Sequence, residues 1–246
     1  MRRPSDRMRA LYEARAEQQY GLPVPLPDPR LDRKFGHICE VVRTLLPCRA
    51  FLDAGCGDGR YLAALEAELP DRVAGVDIAE RILETARARV PRADLRRANL
   101  EALPFEDASF DVVLCSQVIE HVLSPETAGR ELARVLRSGG RLVISTDNAR
   151  NRVSRVLNAP RNAAVWGLRL RGSRGLIESP ATPYTRRGFR TLLESAGLEV
   201  ERVETFRFHL MWPLNPTVVV RALNAVERRL PDVGQGDILL AVARKP

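Results

Sequence analysis

Lysine is nearly missing from this sequence. Of its 39 basic residues only Lys34 and Lys245 are lysine, which leaves 37 arginines and a net charge of +8. An excess of one sign can attract nucleic acid, an anionic membrane or an acidic substrate. An arginine bias of this kind also follows from coding composition alone, so nucleic acid is not the favoured partner. Cysteine is sparse too. Cys39, Cys48, Cys56 and Cys115 show neither paired metal-ligand spacing nor the density of a disulfide scaffold, and no metal is expected from them. No apolar run approaches the roughly 20 residues of a membrane span. The opening Met1-Arg2-Arg3-Pro4-Ser5-Asp6-Arg7 runs on into Glu13, Arg15 and Glu17 where an export signal would be apolar, so a reducing cytoplasm is expected. Repeats and low-complexity tracts are absent as well.

What is present suits one globular domain with additions: 246 residues, 45% apolar and 28% charged. Residues 6–19 read as a charged helix, and the prolines of 21–29 make a stiff linker that completes an N-terminal part, 1–31. A helix over 32–46 follows. Strand and helix then alternate: strands at 50–54, 72–76, 94–98, 110–115 and 141–146, helices at 61–69, 79–89 and 126–136, with Gly139-Gly140 turning the chain before 141. Such alternation specifies a mostly parallel sheet with helices on both faces, here a core over 32–146. The rhythm stops at 147–184, an insertion with seven arginines and Trp166. It resumes over 185–246 with a helix at 185–196 and strands at 198–206 and 237–243, around an inserted segment 207–236 with a helix at 217–230.

The most informative stretch is Phe51-Leu52-Asp53-Ala54-Gly55-Cys56-Gly57-Asp58-Gly59-Arg60-Tyr61-Leu62, a strand ending in alternating glycines with a helix beginning at once. Glycine accepts positive φ and lets backbone approach a ligand, and free N–H groups at the helix start favour a carboxylate. A dinucleotide fingerprint needs a third glycine where Arg60 stands, which argues against NAD. Asp77 closes the next strand, placed either to accept hydrogen bonds from both hydroxyls of an adenosine ribose or to cap the helix that begins near Ala79.

Together with Val76-Asp77-Ile78, the stretch 103–113 (LPFEDASFDVV) and the stretch 131–140 (ELARVLRSGG), this loop resembles the class I S-adenosylmethionine-dependent methyltransferases, of the small-molecule, ubiquinone-biosynthesis-like type. The resemblance covers 32–146 most fully and extends to Tyr184-Thr185 and the stretch 192–198. It implies a Rossmann-like sheet of about seven strands whose last strand is antiparallel, with helical lid insertions, and S-adenosylmethionine as cofactor. Residue by residue it implies that Asp53, Gly55, Cys56 and Gly57 surround the methionine portion, that Asp77 holds the ribose with Ile78 beside the adenine, and that Asn99 and Leu100 face the adenine. Asn99 replaces an acidic residue there, so the hydrogen-bond pattern to the base differs. Ser116 and Gln117, after the fourth strand, fall near the reactive methyl.

Methyl transfer is an in-line displacement, so the protein aligns the nucleophile, excludes water and, where needed, removes a proton. His121 is the leading base because imidazole titrates near neutrality, though a histidine there can equally orient a loop. Glu120-His121-Val122 also resembles ubiquinone-pathway enzymes that hold a divalent metal on an acid-rich version of this segment. Gln117 stands where that version has a carboxylate, and an amide is a poorer ligand for a hard cation. Asp147, Tyr184, His37 and His209 are further candidates. Cys115-Ser116-Gln117-Val118 lacks the Asn or Asp, two prolines and aromatic of enzymes that methylate exocyclic amines of nucleobases, and Pro47-Cys48 precedes the first strand, where it cannot serve cytosine-carbon methylation. The N-terminal helix, the arginine-rich insertion and the apolar stretch around Trp212 should together form a lid suited to a small or lipid-like acceptor, with O-methylation favoured and room for peripheral membrane contact. An RNA methyltransferase and a non-catalytic cofactor-binding partner are the alternatives.

Overall fold

The computed structural model describes residues 6, 10–14, 25–29, 31–150, 182–206, 232, 234 and 236–246. The insertion proper, the helix expected at 217–230, His209 and most of the first helix lie outside them.

Seven strands form one sheet: β1 (Ala50–Ala54), β2 (Arg72–Asp77), β3 (Asp94–Arg97), β4 (Phe110–Ser116), β5 (Leu136–Asp147), β6 (Glu199–Phe206) and β7 (Ile238–Arg244). Their order is β3-β2-β1-β4-β5-β7-β6, with β7 antiparallel to both neighbours and the other pairings parallel. The sheet is therefore mostly parallel, and the antiparallel last strand sits between β5 and β6. Strand order reverses between β1 and β4, the position at which open α/β sheets take a ligand at the carboxyl ends of their strands.

Side chains alternate across the sheet, so each strand feeds two cores. Leu52, Val113 and Ile144 face the helices α4 (Pro125–Val135) and α5 (Arg186–Ser195), meeting Leu132, Phe189 and Leu193. Phe51, Leu114 and Val143 face α1 (Arg33–Arg43), α2 (Arg60–Ala64) and α3 (Glu80–Arg89), meeting Ile38, Val42, Leu62 and Leu83. Local caps set the helix starts. Asp32 accepts the Phe35 N–H at 3.0 Å, Ser124 precedes Pro125 at the first turn of α4, and Thr185 accepts the Gly188 N–H at 3.1 Å.

Two expectations change. The helix expected over 61–69 stops at Ala64, because Leu65 leaves helical geometry at φ −107° and ψ 2°. Leu65 and Leu69 still bury, so turns satisfy the apolar spacing that suggested helix. The turn expected at Gly139-Gly140 lies inside a longer β5. Phe110 pairs with Leu136 and Val112 already with Arg141, so the extra residues bulge out, and Gly139 takes φ +79°.

Candidate functional site

The glycine loop turns at the tip of β1 with Gly55, Gly57 and Gly59 all at positive φ (91°, 53° and 74°). The loop is tied down from within. The N–H groups of Gly55 and Cys56 both donate to the Val76 carbonyl, Gly57 N–H donates to Asp77 Oδ2 at 3.0 Å and Gly59 N–H to the Cys56 carbonyl. Four loop N–H groups, those of Gly55, Cys56, Gly57 and Gly59, are thus occupied by β2 and by the loop itself. Gly55 is required for space as well as for φ, since a Cβ there would lie 2.2 Å from Val118 Cγ2, in the segment that follows β4. At Gly57 the nearest atom to such a Cβ is Ile82 Cδ1 at 3.5 Å, an ordinary contact, so φ rather than space requires glycine there.

Arg60, which occupies the third-glycine position of a dinucleotide fingerprint, folds back onto Asp58 with bonds of 2.8 and 3.2 Å, and Arg89 of α3 reaches the same carboxylate at 2.8 Å. Asp53 differs. It is 1% exposed, and neither carboxylate oxygen has a hydrogen-bond partner among the described residues. Burial first, then the neighbouring Asp77 and Asp58, push its carboxyl up to about 8. Among the described residues, both charges that act on it, Asp77 and Asp58, are carboxylates. A buried acid left without a partner is costly.

Asp77 accepts from Gly57 N–H on one oxygen and from Ala79 N–H, at 3.0 Å, on the other. The capping geometry is therefore present, and each oxygen keeps a lone pair for a further donor. Burial raises the Asp77 carboxyl against the pull of these N–H groups. Ile78 is half-buried beside it. Asn99 turns its side-chain oxygen to the Glu101 N–H at 3.1 Å, and Leu100 is buried. Cys56 is buried under the loop, its thiol pushed up by burial and by Asp53.

At the end of β4 the expected residues separate. The Ser116 hydroxyl sits in a chain with Tyr61 Oη at 3.2 Å and Ser145 Oγ at 3.1 Å, which joins α2, β4 and β5. Gln117 adopts φ +59°, a conformation that a non-glycine residue keeps only where its surroundings impose it. Its N–H donates to the Ser145 carbonyl, and its amide, oriented to donate to Asp147 Oδ1 at 3.1 Å, links the ends of β4 and β5. The following single turn, Ile119–His121, buries Glu120 to 4% exposure and leaves His121 half-buried. Burial pushes the Glu120 carboxyl up to about 7, with Asp147 adding to the rise and Lys34 opposing it. Sequence reasoning singled out His121 and passed over Glu120, whose burial no local pattern announces. Tyr184 lies near Glu120 too, and its hydroxyl is raised mainly by burial. His37 lies elsewhere, on α1, bonded to Glu204 of β6 at 2.7 Å.

Residues 52–144 match the family model described as a methyltransferase domain. A probable S-adenosylmethionine-dependent methyltransferase of Mycolicibacterium smegmatis is 39% identical over 158 residues, 62% of this chain and 53% of the relative. The ubiquinone biosynthesis O-methyltransferase of Albidiferax ferrireducens is 35% identical over 118 residues, covering 46% of this chain and 44% of the relative. Among solved structures, an S-adenosylmethionine-dependent methyltransferase of Thermotoga maritima superimposes with a TM-score of 0.64 at 22% identity, over 97% of this chain and all of that one, which shows a shared fold. The chain spans about half the length, or less, of the curated relatives it matches. Fold and loop define a Rossmann-like α/β domain built to bind a ligand at its switch point. Residues 52–144 carry a methyltransferase domain, similar over that stretch to S-adenosylmethionine-dependent enzymes.

Proposed function

We propose that this chain, as a single domain, transfers a methyl group from S-adenosylmethionine to a small or lipid-like acceptor, with oxygen as the favoured acceptor atom. The observation that carries the reading is Asp53, a buried carboxyl without a partner, surrounded by other carboxylates at the tip of β1. Of the common cofactors, one that presents an ammonium and a sulfonium to this edge supplies the missing positive charge. Asp53, Gly55, Cys56 and Gly57 enclose the methionine portion in this reading. Asp77 accepts from the ribose hydroxyls, Ile78 and Leu100 pack beside the adenine, and Asn99 offers its amide to the base.

The bound cofactor supplies an electrophilic methyl group. The protein's part is alignment and exclusion of water at the crevice between β1 and β4. Ser116 and Gln117 shape its floor, and an imidazole nitrogen of His121 takes the proton of a hydroxyl acceptor, with the buried Glu120 beside it. The relatives named as O-methyltransferases support oxygen as the acceptor atom. Among the described residues no helix is long and apolar enough to cross a membrane.

Calorimetric titration with S-adenosylmethionine and, separately, with NADH tests the reading. Micromolar binding of the first alone is expected, and binding of NADH alone would overturn it.

A further inference from the structure

The site receives two residues from far earlier in the chain. In the helical residues 10–14, the Glu13 carboxylate accepts the N–H of Glu80 at 2.8 Å and that of Arg81 at 3.4 Å. Asp77 takes the N–H just before them, at Ala79. Three consecutive donors at the start of α3 are thus divided between a carboxylate from β2 and one from 67 residues upstream. Such donors have no partner inside the helix, and the positive end of the helix dipole favours a negative charge.

Tyr12, next to Glu13, packs its half-buried ring against Ala79 and Ile82, and its edge approaches the His121 ring at 6.0 Å between centroids, inclined at 64°. Ala79 and Ile82 follow the tip of β2, and His121 follows the tip of β4. In the sheet these strands flank β1, whose tip carries Asp53. One ring therefore touches the segments that follow the tips of both β2 and β4, and a bidentate contact anchors the neighbouring residue.

We propose that Tyr12 is a wall of the cofactor site, closing it across the tips of β2 and β4 over the adenosine portion of the ligand, and that Glu13 is the positioning residue that latches it there. This rests on the cofactor reading above. Glu13 also lies close enough to Asp77 to add to the rise of that carboxyl, which couples the latch to the group assigned to the ribose. Cofactor entry and release then require Glu13 to leave the start of α3.

The test uses the full chain and radiolabelled S-adenosylhomocysteine, its release followed after addition of excess unlabelled compound well below the melting temperature. Glu13→Ala and Tyr12→Ala should each release the probe faster by roughly fivefold or more, as expected where opening of a closed segment limits exchange. The double variant should be no faster than the quicker single one, because the residues act as one device. A purely structural role for Glu13 would lower the melting temperature and leave the release rate alone. Should Glu13→Ala fold poorly, Glu13→Gln, which keeps one acceptor oxygen, is measured in its place and should fall between. Release rates within about twofold of the unmodified chain in both single variants would overturn the latch while leaving the cofactor reading intact. Failure of the unmodified chain to bind the probe would overturn both.

Discussion

Asp53 and Asp58 stand at opposite ends of one glycine turn, both almost fully buried at 1% and 2% exposure, in opposite surroundings. Asp58, on the outer side, is held by two guanidinium groups, Arg60 and Arg89. Asp53, on the inner side, has no partner and is pushed towards its neutral form. The paired acid fixes the loop against α3, and the partnerless one is left for what the loop encloses. Glycines follow the same division. Gly55 on the inner side abuts Val118, whereas Gly59 on the outer side packs less tightly on Ala86, at 3.2 Å from a built Cβ.

The sharpest way to break this comparison is Gly55→Ala, where a clash at 2.2 Å adds to an unfavourable φ of +91°. A loss of about 3 kcal/mol is expected from the urea midpoint, and Val118→Ala should recover part of it. Gly59→Ala should cost only about 1 to 2 kcal/mol, so equal losses at the two glycines would deny that the inner side is the tighter.

Asp58→Ala comes next. Removing one partner of a buried pair is costly, but Arg60 and Arg89 can turn partly to solvent, so about 2 kcal/mol is expected in thermal melts, with little dependence on salt.

Asp53→Asn should behave in the opposite way. Stability of the ligand-free chain at pH 8 should hold or rise, while affinity for S-adenosylmethionine falls about 10- to 100-fold, the scale of a charge-assisted bond. A stability loss as large as that of Asp58→Ala would mean that Asp53 too has a structural partner.

The ligand-free chain also carries a pH slope. Folding raises the carboxyl of Asp53 to about 8 and that of Glu120 to about 7, from ordinary values of 3.8 and 4.5. Raised acids bind more protons folded than unfolded, so their contribution is complete below pH 4 and is lost as pH rises towards 8. The ligand-free chain should lose stability across that window, and Glu120→Gln should flatten the part below pH 7. Pairing of Asp53 with an ammonium should expel its proton. Calorimetric heats at pH 7 should then differ between buffers of unlike ionisation enthalpy, and affinity should rise from pH 6 to 8.

Much of the fold was legible because its signals are local. Parallel strands buried on both faces read as apolar runs such as Val112-Val113-Leu114, and glycines with an acid mark where β1 ends. The helix start at Ser124-Pro125 is equally local. Leu65 and Leu69 misled because burial, which spacing reports, does not require a helix. Gly139-Gly140 misled because a bulge and a turn use the same residues, and the partner strand decides between them. In the site, the glycine loop and Asp77 could be read directly. The hydroxyl chain that occupies Ser116 could not, since Tyr61 and Ser145 reach it from other elements.

By itself the sequence determined the kind of domain: a strand, a turn that only glycine follows easily, and an acid at the tip of the next strand are set by φ, by side-chain size and by neighbours a few residues away. Tertiary structure alone decided which buried acid is paired and which waits, because Arg89 meets Asp58 from 31 residues along the chain. It also decided that Glu13 caps a helix and that Glu120 is buried beside Asp147. Charge compensation and desolvation depend on who is near in space, and the local pattern of residues does not carry that information.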